Sequence, residues 1–262
     1  VSDVFHLTKG TAPLLFSFPH VGTALANDME NRLTNEARRL DDTDWLVDQL
    51  YDFTARLGAS TIVPVHSRLV VDLNRPPDDA NLYPGAQGTG LIPMTLFDGE
   101  KLYRDGAEPD QAEKSERVAR YWRPYHAALE AELARLTALH GQVLLWDGHS
   151  IEAFIPRLFE GRLPDLNIGT ADGKSCGAGI GEAVFAAAKA APTYSAVLNG
   201  RFKGGYITRH YGEPVRGRHA VQLELAKETH LKPGNPPSLD LALCAKLRPV
   251  IRSMVEAAST AF

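Results

Sequence analysis

The sequence predicts an α/β fold, a three-layer α/β/α domain around a mixed, mostly parallel central sheet. Short apolar or β-branched runs interleave with amphipathic helical stretches along the chain, and such interleaving places helices on both faces of a sheet. A chain of 262 residues, 44% of them hydrophobic, is long enough to bury a substantial core. No internal repeat, low-complexity tract or linker divides it, so a single domain over residues 1–262 is expected.

The elements follow in order. Leu14-Leu15-Phe16-Ser17-Phe18 reads as a buried strand closed by Pro19 and followed by His20-Val21-Gly22. Leu46, Leu50, Phe53 and Leu57 recur at helical spacing, which predicts about four turns beginning near Asp42 and ended by Gly58. Asp42 or Thr43 would cap that helix and Asp44 would sit in its first turn. Thr61 to Val65 and Leu69 to Leu73 are predicted strands, the first an edge because of Pro64. Asn74 to Gly90 is a long loop dense in Pro, Asp, Asn and Gly, and structured loops of that length tend to be functional.

Gln111 to His140 is a long helical pattern interrupted at Pro124, separated by Gly141 from the strand Gln142 to Trp146. Asp147-Gly148-His149-Ser150 follows, placing a second histidine just past a strand end. Asn167 to Thr170 predicts a brief strand, Gly181 to Ala190 a helix, and Tyr194 to Leu198 a strand. Arg201 to His210 is basic and Gly-rich and reads as an anion-binding loop. Val221 to Leu225 alternates apolar and polar residues, and Leu239 to Ala258 is a closing amphipathic helix.

Composition excludes several functions. With 28 Lys and Arg against 32 Asp and Glu, the net charge of −4 offers no general attraction to nucleic acid. The longest apolar stretch, Ala183 to Ala188, falls far short of the roughly 18 residues of a membrane span. The N-terminal residues VSDVFHLTKG carry no basic segment before an apolar core, so a cytoplasmic location is expected. Cys176 and Cys244 form no CxxC pattern, which argues for a reducing compartment and against a thiolate zinc site. G-x-S-x-G and Walker A motifs are absent, and Gly177-Ala178-Gly179-Ile180-Gly181 lacks dinucleotide-fold spacing. Lone cysteines are usually inert core residues, which disfavours Cys176 as a nucleophile.

In open α/β sheets ligands bind at the carboxyl ends of strands, where His20 and His149 are both expected. Two imidazoles and one carboxylate suit a catalytic zinc site. Asp44 is the candidate third ligand, with helix capping as its structural alternative and Asp48 and Asp147 as rivals. Glu224 lies in an otherwise apolar run, where an unpaired buried carboxylate is costly. Either it faces solvent beside Gln222, or it serves as a general base. Arg68, Arg75, Arg201 and Arg209 suit an acidic small-molecule substrate, because guanidinium grips carboxylate in a two-point fork. Asn74-Arg75 is the most pocket-like of these, followed by Arg209, whereas surface salt bridges are the simpler reading of Arg68 and Arg201.

Seven motifs together carry a resemblance: Ser17-Phe18-Pro19-His20-Val21-Gly22, Leu40-Asp41-Asp42-Thr43-Asp44-Trp45, Val71-Asp72-Leu73-Asn74-Arg75, Asp147-Gly148-His149-Ser150, Pro156-Arg157-Leu158-Phe159, Asn199-Gly200-Arg201-Phe202-Lys203-Gly204-Gly205-Tyr206 and Gln222-Leu223-Glu224. Over nearly its whole length the chain resembles the N-formylglutamate deformylase (N-formylglutamate amidohydrolase) family, related to zinc carboxypeptidase and aspartoacylase-like hydrolases. The resemblance implies a phosphorylase/hydrolase-like α/β/α fold and hydrolysis of N-formyl-L-glutamate to L-glutamate and formate, the last step of one histidine-degradation route. It implies a divalent metal, zinc foremost, on His20, Asp44 and His149, with Glu224 as general base. Asn74, Arg75 and Arg209 are the implied holders of substrate carboxylates. The carboxypeptidase relatives carry H-x-x-E, whereas here Val21-Gly22-Thr23 follows His20, so the acid ligand must come from elsewhere. A related deacylase or carboxypeptidase for another N-acyl acidic amino acid is the nearer alternative, and a non-catalytic carboxylate-binding protein the more distant one.

Overall fold

The computed structural model describes residues 4–82 and 88–261. Part of the long loop predicted over Asn74 to Gly90, residues 83–87, therefore lies outside the described residues, as do the first three residues and the last. In chain order the main elements are β1 Phe5–Thr8, β2 Leu14–Ser17, α1 Met29–Arg32, α2 Val47–Leu50, β3 Ser60–Pro64, α3 Gln111–Arg117, α4 Arg123–His140, β4 Val143–Ile151, β5 Leu166–Gly169, α5 Ile180–Lys189, β6 Ala196–Leu198, α6 Tyr206–Tyr211, β7 Arg218–Ala226, β8 Leu231–Lys232, β9 Ser238–Leu239 and α7 Leu241–Thr260.

Seven strands form one sheet in the order β1-β3-β2-β4-β7-β5-β6, with β8 and β9 a separate pair. The β3-β2, β2-β4, β4-β7 and β5-β6 pairings are parallel, and β1-β3 and β5-β7 antiparallel. The sheet is thus mixed and mostly parallel, as the interleaved elements predict.

Side-chain alternation creates the three layers. Leu144 and Trp146 of β4 and Val221, Leu223 and Leu225 of β7 join the core beneath α2, α5 and α7. Val143 and Leu145 of β4, with Ala220 of β7, join a second core with residues of α1, α4 and α6. Strand side chains point to opposite faces with period two, so Asp147 and His149 project on the second face, together with Gln222 and Glu224. The parallel register sets His149 against Glu224 and Asp147 against Gln222. Where neighbouring positions are apolar the sheet builds core, and toward its carboxyl edge the same face becomes polar.

Several expectations change. The helix expected to run from Asp42 to Gly58 is shortened and broken: Leu46 takes a left-handed conformation (φ 60°), so α2 begins only at Val47, and Tyr51 (φ −85°, ψ 38°) leaves helical geometry and separates α2 from a 3-10 turn, Ala55–Leu57. Asp44 is therefore not in a helical first turn; its N–H donates to the His20 carbonyl at 3.0 Å. Gly58 does end the segment, at φ 65°, a conformation that glycine adopts without steric cost. Leu69 to Leu73 is buried but forms no strand: Asp72 N–H reaches only Leu91 O, at 2.7 Å, and Val70 N–H turns back on Ser67 O, at 2.9 Å. Its apolar character reflects packing in the second core rather than a ladder. Strand β3 is internal, covered by β1, with Pro64 its last residue. Strand β4 runs on through Ile151, so His149 lies within a strand rather than past its end.

Candidate active site

Asp44, His20 and His149 converge although three different segments carry them. One candidate ligand atom from each lies within 4.8 Å of the others, and all three residues are buried. Asp44 Oδ2 is 3.5 Å from His20 Nδ1 and 2.9 Å from His149 Nδ1. Both Nδ1 atoms thus face Asp44, while each Nε2 faces another carboxylate: Asp72 Oδ1 at 2.7 Å from His20, and Asp147 Oδ2 at 3.0 Å from His149. Arg68 Nη1 donates to His20 Nδ1 at 3.0 Å, which leaves the His20 ring proton on Nε2, toward Asp72. Carboxylates behind the far ring nitrogens are the usual supports of metal-ligating histidines, because they fix tautomer and orientation. The donor set of two imidazole nitrogens and one carboxylate oxygen fits a zinc-type cation. Of the rival third ligands, Asp147 sits on the far nitrogen of His149 and Asp48 is not part of the cluster among the described residues.

Electrostatics agree with a site built for positive charge. Burial works against ionisation of Asp44 and Asp72, but His20 and its neighbours outweigh it and hold both carboxyls below their ordinary range. Burial likewise opposes a charge on His149, yet Asp147 and Asp44 raise its pKa well above the usual imidazole value. Asp72 is tightly satisfied, accepting from Arg68 Nη2 at 2.7 Å and from Asn74 N–H at 2.9 Å besides its contact with His20. Asp147 accepts from Ser17 Oγ at 3.2 Å and from Asn74 Nδ2 at 3.1 Å.

A cavity of about 450 Å³ opens on this cluster, lined by His20, His149 and Glu224 and by the arginines Arg68, Arg75, Arg157 and Arg201. Glu224 is buried beside His149, not on a solvated sheet face. Burial raises its carboxyl to about 8; Asp44 and Asp147 push the same way, and His149 and Arg68 oppose. A carboxyl with that proton affinity can both take and return a proton near neutrality. Among the described residues Arg75 hydrogen-bonds main-chain carbonyls, Thr89 O at 3.0 Å through Nε and Asn74 O at 3.1 Å through Nη1. No carboxylate among those residues hydrogen-bonds it, although its charge helps to keep Asp72 ionised.

Arg209 does not line the cavity among the described residues; its Nε donates to Gly204 O at 2.8 Å. Of the Gly-rich segment, Arg201 and Gly205 line the cavity, and two of its main-chain amides are engaged inside the protein. Gly205 N–H donates to Gln222 Oε1 at 2.7 Å and Ile207 N–H to Asn74 Oδ1 at 2.8 Å, so the first amide braces Gln222 and the second orients Asn74. Glycine is required at 205 because a Cβ there would come within 2.5 Å of the Asn74 amide. Sequence reasoning missed Arg68, which is buried on Asp72 rather than in a surface pair, and Arg157, which stood in a quoted motif without a role. Arg68 and Asp72 sit in a segment that is neither helix nor strand, so no periodicity rule pairs them.

Comparison with known proteins matches this architecture. A family model described as N-formylglutamate amidohydrolase matches residues 12–231. The N-formylglutamate deformylase of Pseudomonas aeruginosa is 50% identical over 256 residues, 98% of this chain and 96% of that protein. The enzyme of the same name from Pseudomonas putida is 48% identical over 257 residues, with the same coverage of 98% and 96%. Among solved structures, N-formylglutamate amidohydrolase from Ralstonia eutropha JMP134 gives a TM-score of 0.82 at 24% identity, covering 98% of both chains. A gene product from Agrobacterium tumefaciens gives 0.70 at 17% identity, covering 98% of this chain and 95% of that one. At those identities the structural likenesses speak to fold, whereas the family match and the two close relatives span nearly the whole sequence. The chain belongs to the N-formylglutamate amidohydrolase family.

Proposed function

We propose that the chain hydrolyses N-formyl-L-glutamate to L-glutamate and formate, as the names of its close relatives suggest. The observation that carries this reading is a cavity lined by two members of the three-donor cluster, His20 and His149, by Glu224 and by a set of arginines able to grip a dianion. A divalent cation, zinc from the donor types, would be held by His20, Asp44 and His149 and would supply Lewis acidity toward the formyl carbonyl and acidify water. Holding it requires Arg68 Nη1 to give up the Nδ1 lone pair of His20.

The remaining work falls to protein groups. Glu224 accepts a proton from water as the water oxygen bonds to the formyl carbon. Arg68 sets positive charge beside the oxygen that becomes anionic. The carbon–nitrogen bond then breaks, and Glu224 returns its proton to the departing amine of glutamate. Arg75, Arg157 and Arg201 receive the two substrate carboxylates through charge-assisted forks; Asn74, braced on Asp147, holds Arg75 at the cavity wall. A role in the last step of histidine degradation, in the cytoplasm, and a single domain over residues 1–262 complete the proposal. Among the described residues no helix is long and apolar enough to cross a membrane.

Formate release from N-formylglutamate, measured before and after chelation and after zinc is restored, tests the reading. Loss on chelation and recovery with zinc are expected; full activity in metal-free protein would remove the metal role. A panel of N-acetyl and N-formyl acidic amino acids separates this substrate from that of a related deacylase.

A further inference from the structure

We propose that Trp122 and His126 are positioning residues for substrate binding, holding the main chain on both sides of Asn74 and so fixing where Arg75 presents its guanidinium. The proposal rests on the carboxylate-binding role given to Arg75 above.

Three successive carbonyls in this segment are each held by a different element. Leu73 O accepts from His126 Nε2 at 2.8 Å, Asn74 O from Tyr206 N–H at 3.3 Å, and Arg75 O from Trp122 Nε1 at 3.0 Å. Residues Leu73 to Arg75 belong to no strand or helix, so these bonds replace the ladder that would otherwise fix the backbone. His126 is itself fixed: its Nδ1 faces Tyr211 Oη at 2.9 Å, and its ring stacks on Trp122 with centroids 3.8 Å apart at 26°. Both side chains are buried, and neither lines the cavity among the described residues. They can influence substrate only through the chain they hold.

The helix is locally reshaped to deliver them. Residues Val118–Trp122 form a π turn between α3 and α4, with Arg123 N–H bonded to Val118 O. Pro124 follows at the start of α4 and has no N–H of its own to donate. The widened turn accommodates that missing donor and carries Trp122 to the Arg75 carbonyl. Turns of this kind cluster at functional sites. The pairing matters for binding because a guanidinium displaced by about 1 Å loses much of a two-point contact, with effects of up to roughly 10²-fold.

Steady-state kinetics on the zinc-loaded enzyme test this. Trp122→Phe removes the N–H donor and keeps an aromatic ring to stack on His126, although a smaller one. It is expected to raise KM for N-formylglutamate about tenfold with kcat within about threefold. Trp122→His, which places a ring N–H at the equivalent position, is expected to recover most of the loss. In an Arg75→Ala background, itself raised in KM, Trp122→Phe is expected to add less than about twofold, because the residue through which it acts is gone. A similar increase in both backgrounds, or a fall in kcat alone, overturns the proposal. A raised KM in Arg75→Ala with no effect of Trp122→Phe overturns this proposal alone, whereas unaltered KM in Arg75→Ala overturns the role of Arg75 as well. If thermal unfolding shows that Trp122→Phe does not fold, His126→Phe takes its place in the same cycle with the same expected outcomes.

Discussion

His20 Nε2 lies 2.7 Å from Asp72 Oδ1, and the same carboxylate takes Arg68 through its other oxygen, also at 2.7 Å. Asp72 thus fixes the tautomer of one candidate ligand and neutralises the cation nearest to it. Asp72→Asn keeps the shape and removes the charge. Zinc affinity, measured by competition with a chelator, is expected to fall about 10- to 100-fold, with activity restored at high zinc. Unchanged affinity would show that Asp72 is only a structural partner of Arg68.

Glu224→Gln preserves volume while abolishing proton transfer. The expected loss in kcat is about 10²- to 10⁴-fold with bound metal unchanged. In the parent enzyme the carboxyl must be ionised to accept a proton, so kcat/KM rises with pH through its pKa. Burial places that pKa at about 8 against an ordinary value of 4.5, and a bound cation lowers it, so the acid limb is expected between these two values. An acid limb at or below the ordinary carboxylate value, or near-normal turnover by Glu224→Gln, would remove it as the base.

The arginines separate by position. Arg157 lines the cavity and Arg209 does not. Arg157→Ala is expected to raise KM for N-formylglutamate by about tenfold or more, the loss of a charge-assisted hydrogen bond. Arg209→Ala is expected to leave KM within about threefold. The reverse ranking would restore Arg209 to the substrate clamp.

Stability should fall in acid for a reason apart from catalysis. Burial lowers the pKa of His126 to about 3 and that of His230 to about 4, against 6.5 for the free side chain. Both are neutral in the native protein and take up protons on unfolding. Their contribution is complete above pH 6.5 and is lost as pH falls toward 4 and then 3. Each adds a slope approaching 1.4 kcal/mol per pH unit within its window, an approximate figure. Urea unfolding between pH 7 and 5 checks this, and His230→Gln is expected to flatten the slope by about one proton.

Much of the site was legible in the sequence because its parts sit in local patterns. His20 and His149 follow or lie within apolar strand runs, and Glu224 interrupts one. The convergence of Asp44 with them was not legible from spacing: Leu46 breaks the expected helix with a left-handed backbone that no propensity rule assigns to leucine. Leu69 to Leu73 has strand composition, yet is buried without a ladder. Arg68 looked like a surface cation because burial depends on tertiary packing, and its partner Asp72 lay in a run read as a strand, which gave no cue to an ion pair four residues back. Arg209 was placed by its basic neighbours, whereas in the fold its Nε donates to Gly204 O and it does not line the cavity among the described residues.

The π turn at Val118–Trp122 also conserves a rotational phase. Its i→i+5 bond, from Arg123 N–H to Val118 O, encloses one residue more than an α-helical turn while making about the same revolution. Arg117, whose Nη1 donates to Tyr103 Oη at 2.7 Å, and Trp122, whose Nε1 donates to Arg75 O at 3.0 Å, therefore both meet their partners from one nearly continuous helix. The extra residue is absorbed locally, so the faces that α3 and α4 present are set independently of it.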